Sequence, residues 1–83
     1  MKKQQNIFKV LQYEYMNCSV NGNPKKRLIL EDRHGNVFIA QTATDALCGY
    51  MGYTRGQEYL FTYHYTRNNN MIIDYAEELN HAN

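Results

Sequence analysis

This 83-residue chain has one serine, two cysteines and a formal charge of only +1, and each scarcity removes a class of function. Ser19 stands in a turn-rich stretch with no histidine near it in sequence, so it reads as a turn former rather than as a nucleophile beside a base. Cys18, Cys48, His34 and His64 supply the ligand types of a zinc site, but no Cys-x-x-Cys or His-x-x-x-His spacing ties any two together. No metal and no cofactor is expected, and both cysteines read as free thiols. Glu31-Asp32 and Glu77-Glu78 are adjacent rather than spaced to share a strand or helix face, so neither pair converges as acid–base chemistry would need. Gly49, Gly52 and Gly56 surround a helix end instead of leading from a strand into a helix, which excludes a phosphate-cradling loop. The expectation is a protein without enzymatic activity.

Charge and hydropathy narrow the setting. Nine Lys and Arg against eight Asp and Glu make whole-molecule attraction to phosphate or membrane weak, so any basic site must be a local patch. No apolar run approaches membrane-spanning length, and none of seven or more residues follows the charged N-terminus, which predicts a cytoplasmic protein. Apolar residues at 43% and charged residues at 20% are those of a folded globular chain. One domain spanning residues 1–83, with an ordered core at about 7–76, is expected, because a chain this short buries only about 60% of its unfolded surface.

What is present is a run of strand patterns. Residues 7–16 alternate with a fault: Phe8 and Val10 share one face, then Leu11, Tyr13 and Tyr15 take the opposite phase. A bulge near Val10 and Leu11 would turn both sets inward, as a strand bent around a small barrel requires; the competing reading leaves Tyr13 or Tyr15 on the surface. Residues 17–25 form a loop containing Asn21-Gly22 and Pro24. Residues 26–32 place Leu28 and Leu30 on one side and Arg27, Ile29 and Glu31 on the other. Arg33-His34-Gly35-Asn36 then turns the chain, with Gly35 in the left-handed region. The third strand, residues 37–41, is read with Val37 and Ile39 inward and Phe38 and Ala40 outward.

Thr42 to Asp45 has capping-box spacing, Gly52 stands at a helix end, and Ala43, Leu47, Tyr50 and Met51 share a helical face, so a short helix is predicted over residues 42–51. After Tyr53-Thr54-Arg55-Gly56, residues 57–66 alternate cleanly, with Tyr59, Phe61, Tyr63 and Tyr65 on one side. Arg67-Asn68-Asn69-Asn70 reads as a hairpin loop, residues 71–75 as the fifth strand and residues 76–83 as a frayed tail. Five strands with one short helix between the third and fourth predict a mainly β fold, a small five-stranded barrel of the oligonucleotide-binding kind.

The run Gly22-Asn23-Pro24, Gly35, Thr42-Ala43-Thr44-Asp45-Ala46, Gly49-Tyr50 and Arg55-Gly56 is similar to short uncharacterised proteins of phages and other bacterial mobile elements, over roughly residues 20–66. That resemblance implies a bacterial or viral cytoplasmic setting and no particular chemistry.

The binding surface expected from the pattern is the outer side of the second and third strands with their loops. It would carry Lys25, Lys26, Arg27, Ile29, Arg33, His34, Phe38 and Arg67, with Tyr50 and Tyr53 at one end as further contact residues. An aromatic ring among cations suits single-stranded nucleic acid, whose bases stack while its phosphates pair. A protein partner, for example a host defence enzyme inhibited by a mobile-element protein, would use the same face or the Tyr50 and Tyr53 end, and a homo-oligomer through that face or an exposed edge is a third possibility.

Overall fold

The computed structural model describes residues 2–16, 25–43 and 52–79. Five strands make up the described fold: β1 Gln4–Met16, β2 Lys25–Glu31, β3 Val37–Thr42, β4 Glu58–Tyr65 and β5 Met71–Glu78. They close into one barrel in the order β1-β2-β3-β5-β4, antiparallel throughout except where β3 runs parallel to β5. This is the five-stranded, oligonucleotide-binding-like barrel that the element order predicts. Among the described residues there is no helix, and none therefore long and apolar enough to cross a membrane. Residues 44–51 of the expected helix, Tyr50 and both cysteines lie outside the described residues.

Closure depends on β1, whose 13 residues pair β4 through Gln4–Lys9 and β2 through Lys9–Met16. The fault in its alternation is a bulge: Val10 faces Leu30 and Gln12 faces Ile29, leaving Leu11 as the extra residue. Phe8 and Val10 are buried before it, and Tyr13 packs against the core after it. Leu11 ends on the outside; Tyr15, in phase with Tyr13 and opposite Lys26, is 72% exposed near the end of the strand, so the burial that the bulge gives the second half of β1 stops at Tyr13.

The third strand faces opposite to the sequence expectation. Ala40 is buried and Phe38 packs against the core, whereas Val37 is 57% and Ile39 66% exposed. The cause lies in the β2–β3 hairpin. Asp32 does not extend β2; its carboxylate accepts the His34 N–H at 2.8 Å, the Asn36 N–H at 2.9 Å and the Asn36 side-chain amide at 3.1 Å. Its own N–H donates to the Asn36 carbonyl at 2.9 Å, closing a loop in which Gly35 takes φ +88°. Drawing Asp32 into the turn moves the register by one residue, so that Leu30 faces Phe38 and Leu28 faces Ala40. Partners in register share a face, and a slip of one exchanges inside for outside.

The core is aromatic. Phe8 meets Phe38 edge-on at 5.4 Å and Tyr63 at 5.6 Å, and Tyr53 meets Tyr59 at 5.2 Å, distances at which ring pairs add to area burial. Tyr53, expected as a contact residue, is only 3% exposed. The Tyr59 hydroxyl accepts the Thr54 N–H at 2.8 Å, which ties the chain beside Tyr53 to the barrel wall. Thr42 belongs to β3 rather than to a helix cap: it is buried, and its hydroxyl accepts the Lys26 N–H at 3.0 Å. The β4–β5 loop behaves as its asparagines predict, Asn69 standing at φ 64°. Beyond it β5 continues to Glu78 with Ala76 buried, so residues 76–78, expected in a frayed tail, belong to the barrel wall.

The facing of β3 is open to direct test by urea denaturation. Phe38→Ala is expected to destabilise the domain by about 3 kcal/mol, the low end for a phenylalanine in contact with a core. Ile39→Ala on the outer face should cost about 0.5 kcal/mol or less. Equal, small losses at both positions would contradict the described facing.

Candidate functional site

The outer face of β2 and β3 is built by the same alternation that fills the core. With Leu28, Leu30, Phe38 and Ala40 turned inward, Arg27, Ile29, Glu31, Val37, Ile39 and Gln41 stand outward. Ile29 and Ile39 are register partners and form the centre of the face, with Val37 beside them. Gln12 and Glu14 of β1 continue it on one side, opposite Ile29 and Arg27. The result is a strip of β-branched aliphatic side chains on a polar surround, with no aromatic ring on the outer face of β2 or β3.

The expected cations are distributed differently from a single basic patch. Lys26 alternates with Leu28 and Leu30 and is therefore on the inner side, 2% exposed, its ammonium 4.7 Å from the centroid of the Tyr15 ring. Arg27 is outward, but its guanidinium donates to Glu14 at 2.8 Å. Arg33 lies at the other end of the hairpin and forks onto both carboxylate oxygens of Glu58, at 3.3 and 3.1 Å. The Glu58 hydrogen bond, reinforced by its charge, pushes the Arg33 pKa up from its ordinary value. His34 is exposed in the turn, Lys25 is half-buried at the start of β2, and Arg67 is exposed in the β4–β5 loop. The structure thus keeps Lys25, Arg27 and Ile29 along β2, with Arg67 in the β4–β5 loop and Arg33 and His34 in the β2–β3 turn; Lys26 and Tyr53 leave the surface, and Phe38 is half-buried against the core.

A cavity of about 330 Å³ lies where β3 parts from the β4–β5 loop, lined by Arg27, Ile39, Ala40, Gln41, Asn70 and Met71. Its mixture of aliphatic, amide and guanidinium walls can hold one or two side chains of a ligand, at the small end of binding-site volumes. Val37, Ile39 and Gln41 were not legible as surface residues, because strand alternation reports which residues share a face and not which face is inward. The one available sign was local: Asp32 and Asn36 flanking Gly35 fit an odd-length turn.

On the opposite wall His64 Nδ1 and Asp74 Oδ2 are 2.6 Å apart and both mostly buried, across the bulge that makes Asp74 an extra residue in β5. The described residues include no serine or cysteine to accompany this pair, and it reads as a clamp between β4 and β5. No cluster of three His, Cys, Asp or Glu among the described residues could hold a metal ion.

Two side chains carry pH information. Desolvation is the largest single influence on the Asp32 carboxyl and pushes it up, but the hydrogen bonds from Asn36 and His34 and the charge of His34 together outweigh it and hold the group below the usual carboxylate range. Burial, followed by the neighbouring Tyr65, pushes the Tyr63 hydroxyl above its usual pKa, against a smaller opposing hydrogen bond from Asn6. The folded state therefore keeps the Tyr63 proton when the unfolded chain has begun to lose its own, so this contribution to stability is present below about pH 10 and is lost as pH rises further. Thermal denaturation should show a midpoint that falls above about pH 10, with a shallower fall in Tyr63→Phe; identical slopes in both proteins would exclude Tyr63 as the source.

No family model matches the chain, no curated protein matches it in sequence, and no solved structure matches its fold.

Proposed function

We propose that this chain is a non-enzymatic protein-binding module that engages its partner through the outer face of β2 and β3. The observation that carries this reading is the pairing of half-buried Ile29 with exposed Ile39, beside exposed Val37, at the centre of a face. A contiguous apolar patch with a polar rim is the mark of a macromolecular interface. Here the rim is Gln12, the Glu14–Arg27 pair, Glu31 and Gln41.

Single-stranded nucleic acid draws less support from this surface. Stacking needs an exposed ring, and Phe38 packs against the core. Phosphate contacts need available cations, yet Lys26 is inside and Arg27 and Arg33 are engaged by Glu14 and Glu58. The similarity of residues 20–66 to short phage and mobile-element proteins fits a partner in a bacterial cytoplasm, a host defence enzyme inhibited by the module being one example.

Parallel measurements separate the two ligands. Tagged protein in nuclease-treated bacterial lysate should retain a stoichiometric protein partner that Ile39→Glu loses while keeping the wild-type circular dichroism spectrum. Fluorescence anisotropy with a labelled single-stranded oligonucleotide at low salt should show nothing tighter than nonspecific binding, with a Kd of about 10⁻⁴ to 10⁻⁶ M. Tighter binding that weakens with salt and with Arg67→Ala would overturn the protein-partner reading in favour of nucleic acid.

A further inference from the structure

The shortest ladder in the barrel joins β3 to β5. β2 is paired on both sides, by β1 and β3, and β4 on both sides, by β1 and β5. β3 and β5, however, pair only through Ala40–Thr42 and Met71–Ile73. The first half of β3, Val37 to Ile39, has β2 on one side and no ladder partner among the described residues on the other.

The hydrogen-bonding phase of that edge follows from the bonds at its two ends. Ala43 donates its N–H to the Ile73 carbonyl at 2.9 Å, so position 43 points toward β5; Asn36 accepts from Asp32 at 2.9 Å, so position 36 points toward β2. Successive residues alternate in this respect, which aims the N–H groups of Ile39 and Val37 away from β2, onto the edge that has no ladder partner among the described residues.

Edges of this kind are ordinarily blunted by charge, proline or a bulge. β5 follows that practice where it leaves β3, with a bulge at Asp74 and then Glu77 and Glu78. β3 does not: Val37, Phe38 and Ile39 contain no charge, no proline and no register shift. The cavity lined by Ile39, Gln41, Asn70 and Met71 opens where this edge ends.

Resting on the protein-partner reading, we infer that the site is a strand acceptor: an extended segment of the partner, uncharged and β-branched at alternate positions, adds to the β3 edge at Val37–Ile39 and seats one side chain in the cavity at the fork. Main-chain bonds to the Val37 and Ile39 N–H groups supply affinity in such additions, and the cavity supplies selectivity. A second copy of this chain is a poorer occupant. A symmetric β3–β3 pair would offer only the same three residues from each side, well short of the roughly 800 Å² per partner of a stable interface, and the short edge turns away at Asn36 before more can be added. A flexible segment continues past the edge into the cavity.

The full chain is to be used to select from a displayed library of random peptides of about ten residues, the upper length of ordinary strands. The expected result is enrichment of peptides with alternating β-branched residues. Their affinity should fall about tenfold or more in Val37→Pro, which removes an edge N–H without touching the β2 ladder. Because Val37→Pro could also perturb folding, amide hydrogen exchange on the wild type gives a second readout: the Val37 and Ile39 amides should gain protection when peptide binds, and the Phe38 amide, already directed to β2, should not.

Peptides that lose binding in Ile39→Lys but leave the Val37 and Ile39 amides unprotected would overturn strand addition while leaving the protein-binding face intact. Self-association of the wild type that protects the same amides would overturn the choice of occupant. No enriched peptide, together with tight oligonucleotide binding, would remove the underlying reading as well.

Discussion

Everything in this barrel depends on β1 serving two neighbours at once. It must pair β4 with its first half and β2 with its second, so it has to bend through the wall, and a regular strand of 13 residues would have to choose one face for its whole length. The extra residue at Leu11 resolves this by shifting the phase: Phe8 and Val10 point inward on the β4 side, and Tyr13 points inward on the β2 side. A bulge sharpens local twist as well as phase, which is what a small closed barrel requires at its corners. β5 repeats the device at Asp74, where the bulge lets Ile73 and Ala76 both reach the core.

Within that frame, one carboxylate decides which surface the molecule shows. Asp32 gathers three donors from the turn, and in doing so it leaves β2 and becomes part of the hairpin loop. Leu30 is then opposite Phe38, the ring joins Phe8 in the core, and the aliphatic pair Ile29–Ile39 is displayed in its place. The chemistry of the face thus changes from aromatic and cationic to aliphatic and neutral without a change of any residue on it. Surface ion pairs complete the change. Arg27 with Glu14 and Arg33 with Glu58 add little to stability as exposed pairs, yet they reduce the positive potential that a phosphate backbone would meet.

The same surface explains why the barrel is suited to a strand-like partner. Its closure is shortest between β3 and β5, where the parallel ladder spans three residue pairs, and the aliphatic strip lies beside the part of that seam with no ladder partner among the described residues. Backbone donors and apolar side chains are therefore presented together. β2 and β4, by contrast, are paired on both sides, and β5 carries a bulge and acidic side chains where it leaves β3.

The sequence by itself determined the number of strands, their order and most of their turns. Period-two alternation, Gly35 and Asn69 at positive φ, and the phase fault at Val10–Leu11 are all local signals, written in neighbouring residues. It also marked Leu28, Leu30, Tyr59, Phe61 and Tyr63 as core, since their strands have one clearly apolar side. Tertiary structure decided what alternation leaves undetermined. In β3 both sides are apolar, Val37 and Ile39 on one and Phe38 and Ala40 on the other, so hydrophobicity alone could not orient the strand. Lys26, Thr42 and Tyr53 were misplaced for a related reason: a lysine at a strand start, a threonine before a helix-like run and a tyrosine in a turn all look like surface residues until the barrel closes around them. Register with β2 settled the facing of β3, because a residue's environment is fixed by what lies across the ladder from it and not by its neighbours along the chain.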